Sequence, residues 1–178
     1  MRSLLAFLFL GLLLPVAAQM PSPSAAGMEA MKKLDFWVGR WEGETTIESP
    51  RGQRFSSHGF EVVQKKLGGH VLLVEALFTA TRDGQEVTVH EALSVVWFDE
   101  RSNTYRMRSY LAAGRPGERE LKLVGDQGFA WETRRIDFRW LRFTAKLTES
   151  EWNEIGERTT DNGKTWSKFL EMKLRRVQ

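Results

Sequence analysis

Leu34-Asp35-Phe36-Trp37-Val38-Gly39-Arg40-Trp41-Glu42-Gly43-Glu44 is the stretch on which the fold turns. Upstream of it, Met28, Met31, Leu34 and Phe36 recur at spacings that favour one helical face. Gly39 then breaks that pattern, and from Trp41 onward the apolar period is two. The stretch therefore reads as the end of a short helix, a tight turn at Gly39 and the first strand of a β structure. The helix is expected over residues 28–37, as a plug against one end of that structure.

Outward from this point the chain alternates strand-like runs with turn chemistry. Strands are expected at 41–48, 54–66, 70–81, 86–98, 104–112, 118–124, 128–136, 138–147, 151–159 and 165–177. Ser49-Pro50-Arg51-Gly52, Gly68-Gly69, Asp83-Gly84 and Asp161-Asn162-Gly163 separate them, and each supplies the turn residues that a hairpin needs. Short connections favour antiparallel neighbours. About ten such strands, with no crossover helix among them, predict an all-β, antiparallel up-and-down barrel carrying a short N-terminal helix. A two-sheet sandwich is the alternative.

The first residues read differently. Met1-Arg2-Ser3 is a short basic start, residues 4–14 are apolar apart from Gly11, and Val16-Ala17-Ala18 supplies small residues. This is the layout of a secretory signal peptide cleaved after Ala18. Eleven apolar residues fall short of the roughly 20 that a spanning helix needs. Residues 1–18 are thus expected to be the signal, 19–27 a Pro/Ser/Ala-rich leader and 28–178 a single barrel domain in an exported, periplasmic or secreted protein. No later apolar run reaches spanning length. The absence of cysteine from the 178 residues excludes disulfides, thiolate nucleophiles and cysteine metal sites.

A formal charge of +3 becomes +2 once Arg2 is removed, and basic doublets are scattered. No continuous basic stripe points to nucleic acid. His58, His70 and His90 are the only histidines and show no ligand spacing, so no metal site is expected. No Gly-x-Ser-x-Gly or phosphate-binding loop occurs either. Thr159-Thr160-Asp161-Asn162-Gly163-Lys164-Thr165-Trp166 resembles the Asp-box of sialidase propellers, but it occurs once and reads as a hairpin device. Trp97, Tyr105, Tyr110, Phe129, Trp131, Trp140, Phe143 and Trp152 give the strands a heavy aromatic load, which suits either a filled core or a pocket wall.

Several passages resemble one family. Phe36-Trp37-Val38-Gly39-Arg40-Trp41-Glu42-Gly43, Leu67-Gly68-Gly69-His70, Val96-Trp97-Phe98-Asp99 and Asp161-Asn162-Gly163-Lys164-Thr165-Trp166 occur in the order seen in uncharacterised secreted bacterial calycin-like domains. These are distant relatives of lipocalins and haem-binding nitrobindins. The resemblance implies a barrel of about ten strands with a possible small-molecule cavity. It implies that Trp41 packs under the barrel floor against an Arg of the last strand, Arg175 or Arg176. Nitrobindin-like proteins hold haem iron through a late histidine; none follows His90 here, so no cofactor is expected.

The functional expectation is a barrel that binds a small apolar or amphipathic ligand, with Met107, Tyr110, Trp131 and Phe143 as wall and Glu91 and Arg108 as polar contacts. Two alternatives stand beside it. One is a cavity enzyme using Glu75, Glu91 or His90 in acid–base roles, with Arg106, Arg108 or Arg135 as salt-bridge partners if those carboxylates are structural instead. The other is a cell-envelope interaction module. The oligomeric state is left open.

Overall fold

The computed structural model describes residues 24–114, 116–134 and 140–177. The expected signal peptide, residues 19–23 of the leader, Arg135 and the expected strand ends at Ile136 and Phe138 lie outside them. Helix α1 covers Ala25–Lys32, with Ser24 as its cap: the Gly27 N–H donates to Ser24 Oγ at 3.2 Å. It begins three residues before the expected Met28 and ends sooner, because Leu34–Trp37 tightens into a 3₁₀ turn at Asp35–Trp37. No described helix is long and apolar enough to cross a membrane.

Ten strands follow: β1 Gly39–Glu48, β2 Arg54–Lys66, β3 Val71–Arg82, β4 Gln85–Asp99, β5 Thr104–Leu111, β6 Gly117–Leu123, β7 Gly128–Arg134, β8 Trp140–Leu147, β9 Glu151–Thr159 and β10 Ser167–Val177. Each pairs antiparallel with its neighbour in sequence, and β1 pairs with β10, so the sheet closes into a barrel. Closure leaves no free sheet edge. Gly43 and Gly59 face each other across β1 and β2. A methyl on Gly43 would overlap the Lys173 carbonyl, and one on Gly59 the Leu77 carbonyl, so the neighbouring strands approach too closely there for any residue but glycine.

α1 and the 3₁₀ turn plug one end of the barrel. Met31, Leu34, Trp37, Trp41, Phe129 and Trp152 are fully or almost fully buried there. Each buried apolar side chain of this size contributes about 1.5–3 kcal/mol. Trp37 lies 4.1 Å from Phe129 and edge-on to Trp152 at 5.6 Å. Trp41 Nε1 donates to the Trp37 carbonyl at 2.9 Å, which ties the plug to the first strand. The floor arginine is Arg176: its guanidinium stands 4.0 Å over the Trp41 ring and donates to the carbonyls of Phe36, Val38 and Glu149. Gly39, at φ +145°, makes room for it, since a methyl there would run into Arg176 Nη1.

Candidate functional site: the barrel lumen

Strand register fixes which side chains enter the lumen. Buried Leu72, Val74, Ala76 and Phe78 set the inward parity of β3, and through it that of β4, where Ala92, Ser94, Val96 and Phe98 point in. A bulge interrupts this ladder, because Phe78 pairs with His90 but Thr79 pairs with Thr88. Val89 is the extra residue, and the parity of β4 reverses across it.

The expected polar contact Glu91 lies past that bulge, on the stretch of β4 whose even positions point in. Glu91 lies opposite Leu77 on the outer surface and is exposed. Glu75 is also outward and exposed, so the two carboxylates of the enzyme alternative do not share a cavity. Arg108 and Tyr110 pair with Val95 and Leu93 on the outer face; Tyr110 is 44 % exposed with Arg108 over its ring. Arg106 and Arg108 take Glu118 as their carboxylate, at 2.8 and 4.0 Å, rather than Glu75 or Glu91. Met107, Trp131 and Phe143 do face inward: Met107 is buried, and Trp131 stacks on Phe143 at 4.9 Å and 12°. The lumen therefore receives three of the six expected ligand-contact residues, and the other three stand outside it.

Exposure varies along the lumen. Inward residues near the plug are buried, whereas Ser57, Ala92, Arg119, Trp131, Thr133, Leu141, Phe143 and Arg158, higher up, keep partial exposure. Side chains that point inward yet reach water line an open mouth. A cleft of about 260 Å³ notches its rim between Ile47, Pro50, Leu141, Arg158 and Phe169. Arg158 straps that rim by donating to the carbonyls of Glu48 and Ser49 at 2.9 and 3.3 Å. The volume of that cleft falls short of the roughly 300–1,000 Å³ to which small-ligand sites run. A larger cleft, about 400 Å³, lies outside the barrel at the plugged end between Met28, Lys32, Lys65 and Leu67, away from these groups.

Two lumen carboxyls escaped the sequence reading. Glu61 pairs opposite Trp41 on β2, and Glu154, 7 % exposed, opposite Met172 on β9. Glu61 is half-buried; desolvation and then the nearby Glu154 charge push it well above the carboxylate range. Burial lifts Glu154 to about 8. The Trp152 indole pulls it back, although Trp152 Nε1 meets no acceptor at full hydrogen-bond geometry. The legible signal was parity: Glu154 is two residues from Trp152, and Glu61 two from Val63, both of them core residues.

The opposite wall carries a cation. Arg119 enters from β6, its Nη1 3.5 Å from Ser109 Oγ, which in turn accepts from Ser94 Oγ at 2.7 Å. Its Nε finds no partner, and burial lowers its pKa. His90 sits at the mouth, 6.2 Å from Phe78; the residue is exposed as a whole, but its ring is crowded enough for desolvation to lower its pKa. Among the described residues, no three His, Asp or Glu side chains are grouped to hold a metal. The Asp-box segment is a hairpin: Asp161 accepts from Thr159 Oγ1 and from the Thr165 N–H and Oγ1. Asn162 and Gly163 take positive φ, and the Trp166 N–H closes on the Gly163 carbonyl at 3.1 Å.

No family model and no curated protein matches the chain. Solved structures do. Rv2717c from M. tuberculosis superposes with a TM-score of 0.59 at 14 % identity, over 85 % of this chain and 97 % of that one. The S-type phycobiliprotein lyase CPES from Guillardia theta gives 0.57 at 11 % identity, over 84 % and 93 %. At such identities the likeness is one of fold alone, the closed antiparallel barrel.

Proposed function

We propose that this is an exported lipocalin-like barrel that binds a small amphipathic molecule in its lumen. The observation that carries the reading is the exposure gradient: one end is sealed by Trp37, Trp41 and Trp152, while inward Trp131 and Phe143 remain partly exposed toward the other. An aromatic wall with a few convergent polar groups is the composition of small-ligand sites. Trp131, Phe143 and Met107 supply wall area, and Arg119, Ser109 and the carboxyl pair supply polarity. Native mass spectrometry of the mature protein, purified gently from its own host, tests this. The expected result is an adduct of a few hundred daltons, lost on denaturation, on a chain that begins at Gln19. The Ser57→Trp variant, which fills the mouth from β2, is expected to lose it. An adduct retained by that variant would place the ligand elsewhere.

A second reading, an interaction module, draws on the outer face of β3–β5. Leu73, Leu93, Val95, Trp97 and Tyr110 form a stripe there, with Leu93 39 % and Tyr110 44 % exposed. Light scattering on the purified protein tests it: a monomer whose mass is unchanged by Leu93→Lys argues against self-association through this face.

A further inference from the structure

Glu61 and Glu154 face the lumen from β2 and β9, the strands that flank the β10–β1 pair, and the charge of one acts on the other. No described cation compensates them. Arg158 is spent on rim carbonyls, Arg176 on the floor, and Arg119 stands on β6, across the barrel. His90 is at the mouth, and the Tyr105 hydroxyl donates to the Ala30 carbonyl at 2.7 Å. Burying acids without a counter-ion is costly, and apolar residues or Gln would serve a purely structural role better.

A second observation marks the same place as incomplete. Trp152 is 1 % exposed, neighbours Glu154 on the same face of β9, and holds an N–H with no acceptor. Aromatic rings close over this point. A methyl on Gly156, the next inward residue above Glu154, would press on the rings of Phe143 and Phe169 at 3.0 and 3.1 Å. Phe143 is itself stacked on Trp131. Carboxyls beside aromatic rings are surroundings that favour an ammonium group.

We propose that the Glu61–Glu154 pair is the head-group site for an amphipathic organic amine, whose ammonium reaches the two carboxyls while its apolar body lies along Trp131 and Phe143. The inference rests on the lumen-binding reading and names its ligand class. Arrival of the ammonium draws one carboxyl into its charged form, and that carboxyl gives its proton to solvent. The carboxylate then offers the Trp152 N–H the acceptor it lacks. Binding is therefore coupled to proton release around neutral pH.

Isothermal titration with phenethylamine, phenethyl alcohol and phenylpropionate at pH 7, in two buffers of different ionisation heat, separates the cases. The expected result is amine binding at least tenfold tighter than alcohol, with a substantial fraction of a proton released. Glu154→Gln and Glu61→Gln each remove a lumen acid without changing shape. Each is expected to weaken the amine about tenfold and leave the alcohol unchanged. Equal binding of amine and alcohol, binding without proton release, or preference for phenylpropionate overturns the head-group site while leaving lumen binding intact. Absence of binding by all three overturns the lumen reading and the inference with it.

Discussion

Glu154→Gln is the substitution with the most direct consequence for stability. The folded carboxyl titrates at about 8 against 4.5 for a free glutamate. A raised acid contributes its stability in full below the unfolded value, where both states hold the proton. Between 4.5 and 8 the unfolded chain gives up its proton and the native chain keeps it. Stability therefore falls as pH rises through this window, by about 1.4 kcal/mol per unit, and the accumulated difference at pH 7 is about 3 kcal/mol. Glu61, raised for the same reason, adds a slope of the same sign. His90 opposes it only in acid: its depressed pKa gives a contribution that is complete above the free-histidine value of 6.5 and is lost as pH falls through the folded value. The range from pH 7 to 8 thus reports the carboxyls. Urea unfolding followed by tryptophan fluorescence is the assay. The wild-type chain is expected to lose about 1 kcal/mol between pH 7 and 8 through Glu154 alone. Glu154→Gln is expected to flatten that slope and, even after its amide's own desolvation, to be more stable at pH 8 by roughly 2 kcal/mol. The same slope in both proteins, or a variant less stable at pH 8, would refute the reasoning by showing a carboxylate that is charged and paired in the fold.

Arg176→Ala removes the cation over Trp41 and leaves the carbonyls of Phe36, Val38 and Glu149 without their donor; a loss of about 2–4 kcal/mol is expected by chemical denaturation. Leu67 takes φ +51° while 76 % exposed, a conformation that asparagine tolerates better, so Leu67→Asn is expected to raise stability by about 0.5–1 kcal/mol in the same assay. In acid the sign of the pH dependence changes. Thr165 and Thr159 hold Asp161 down to about 2, and Lys168 and Lys173 hold Glu171 to about 2. Stability supplied by these groups is present above their unfolded values and is lost as pH falls toward 2, so Asp161→Asn is expected to blunt the drop seen in thermal melts between pH 4 and pH 2.

The strand plan was legible because turn chemistry is local. β2 and β9 begin and end where Gly, Asn, Asp and Ser clusters place them, and the other strands shift by only a few residues. Trp41 and Arg176 meet as the resemblance implied, since closure forces the first strand against the last. The site was less legible because facing depends on register, which is not local. On β4, Leu93, Val95 and Trp97 make the odd positions read as the dry face and carry Glu91 with them. Pairing to β3 instead gives the interior to Ala92, Ser94 and Val96, which are small or modest in size. The outer apolar stripe on that strand is what misdirects a reading by hydrophobicity. On β5, Met107 and Tyr110 differ in parity, so both cannot enter the lumen, and pairing of Met107 with buried Val96 selects Met107. Glu61 and Glu154 follow from the same logic run forward. Each shares parity with a residue that must be buried, so a charged side chain two places from a core Trp or Val is the sign of an interior acid. Alternation searched for apolar residues finds the wall of such a barrel, whereas its chemistry lies at the polar residues that keep the wall's parity.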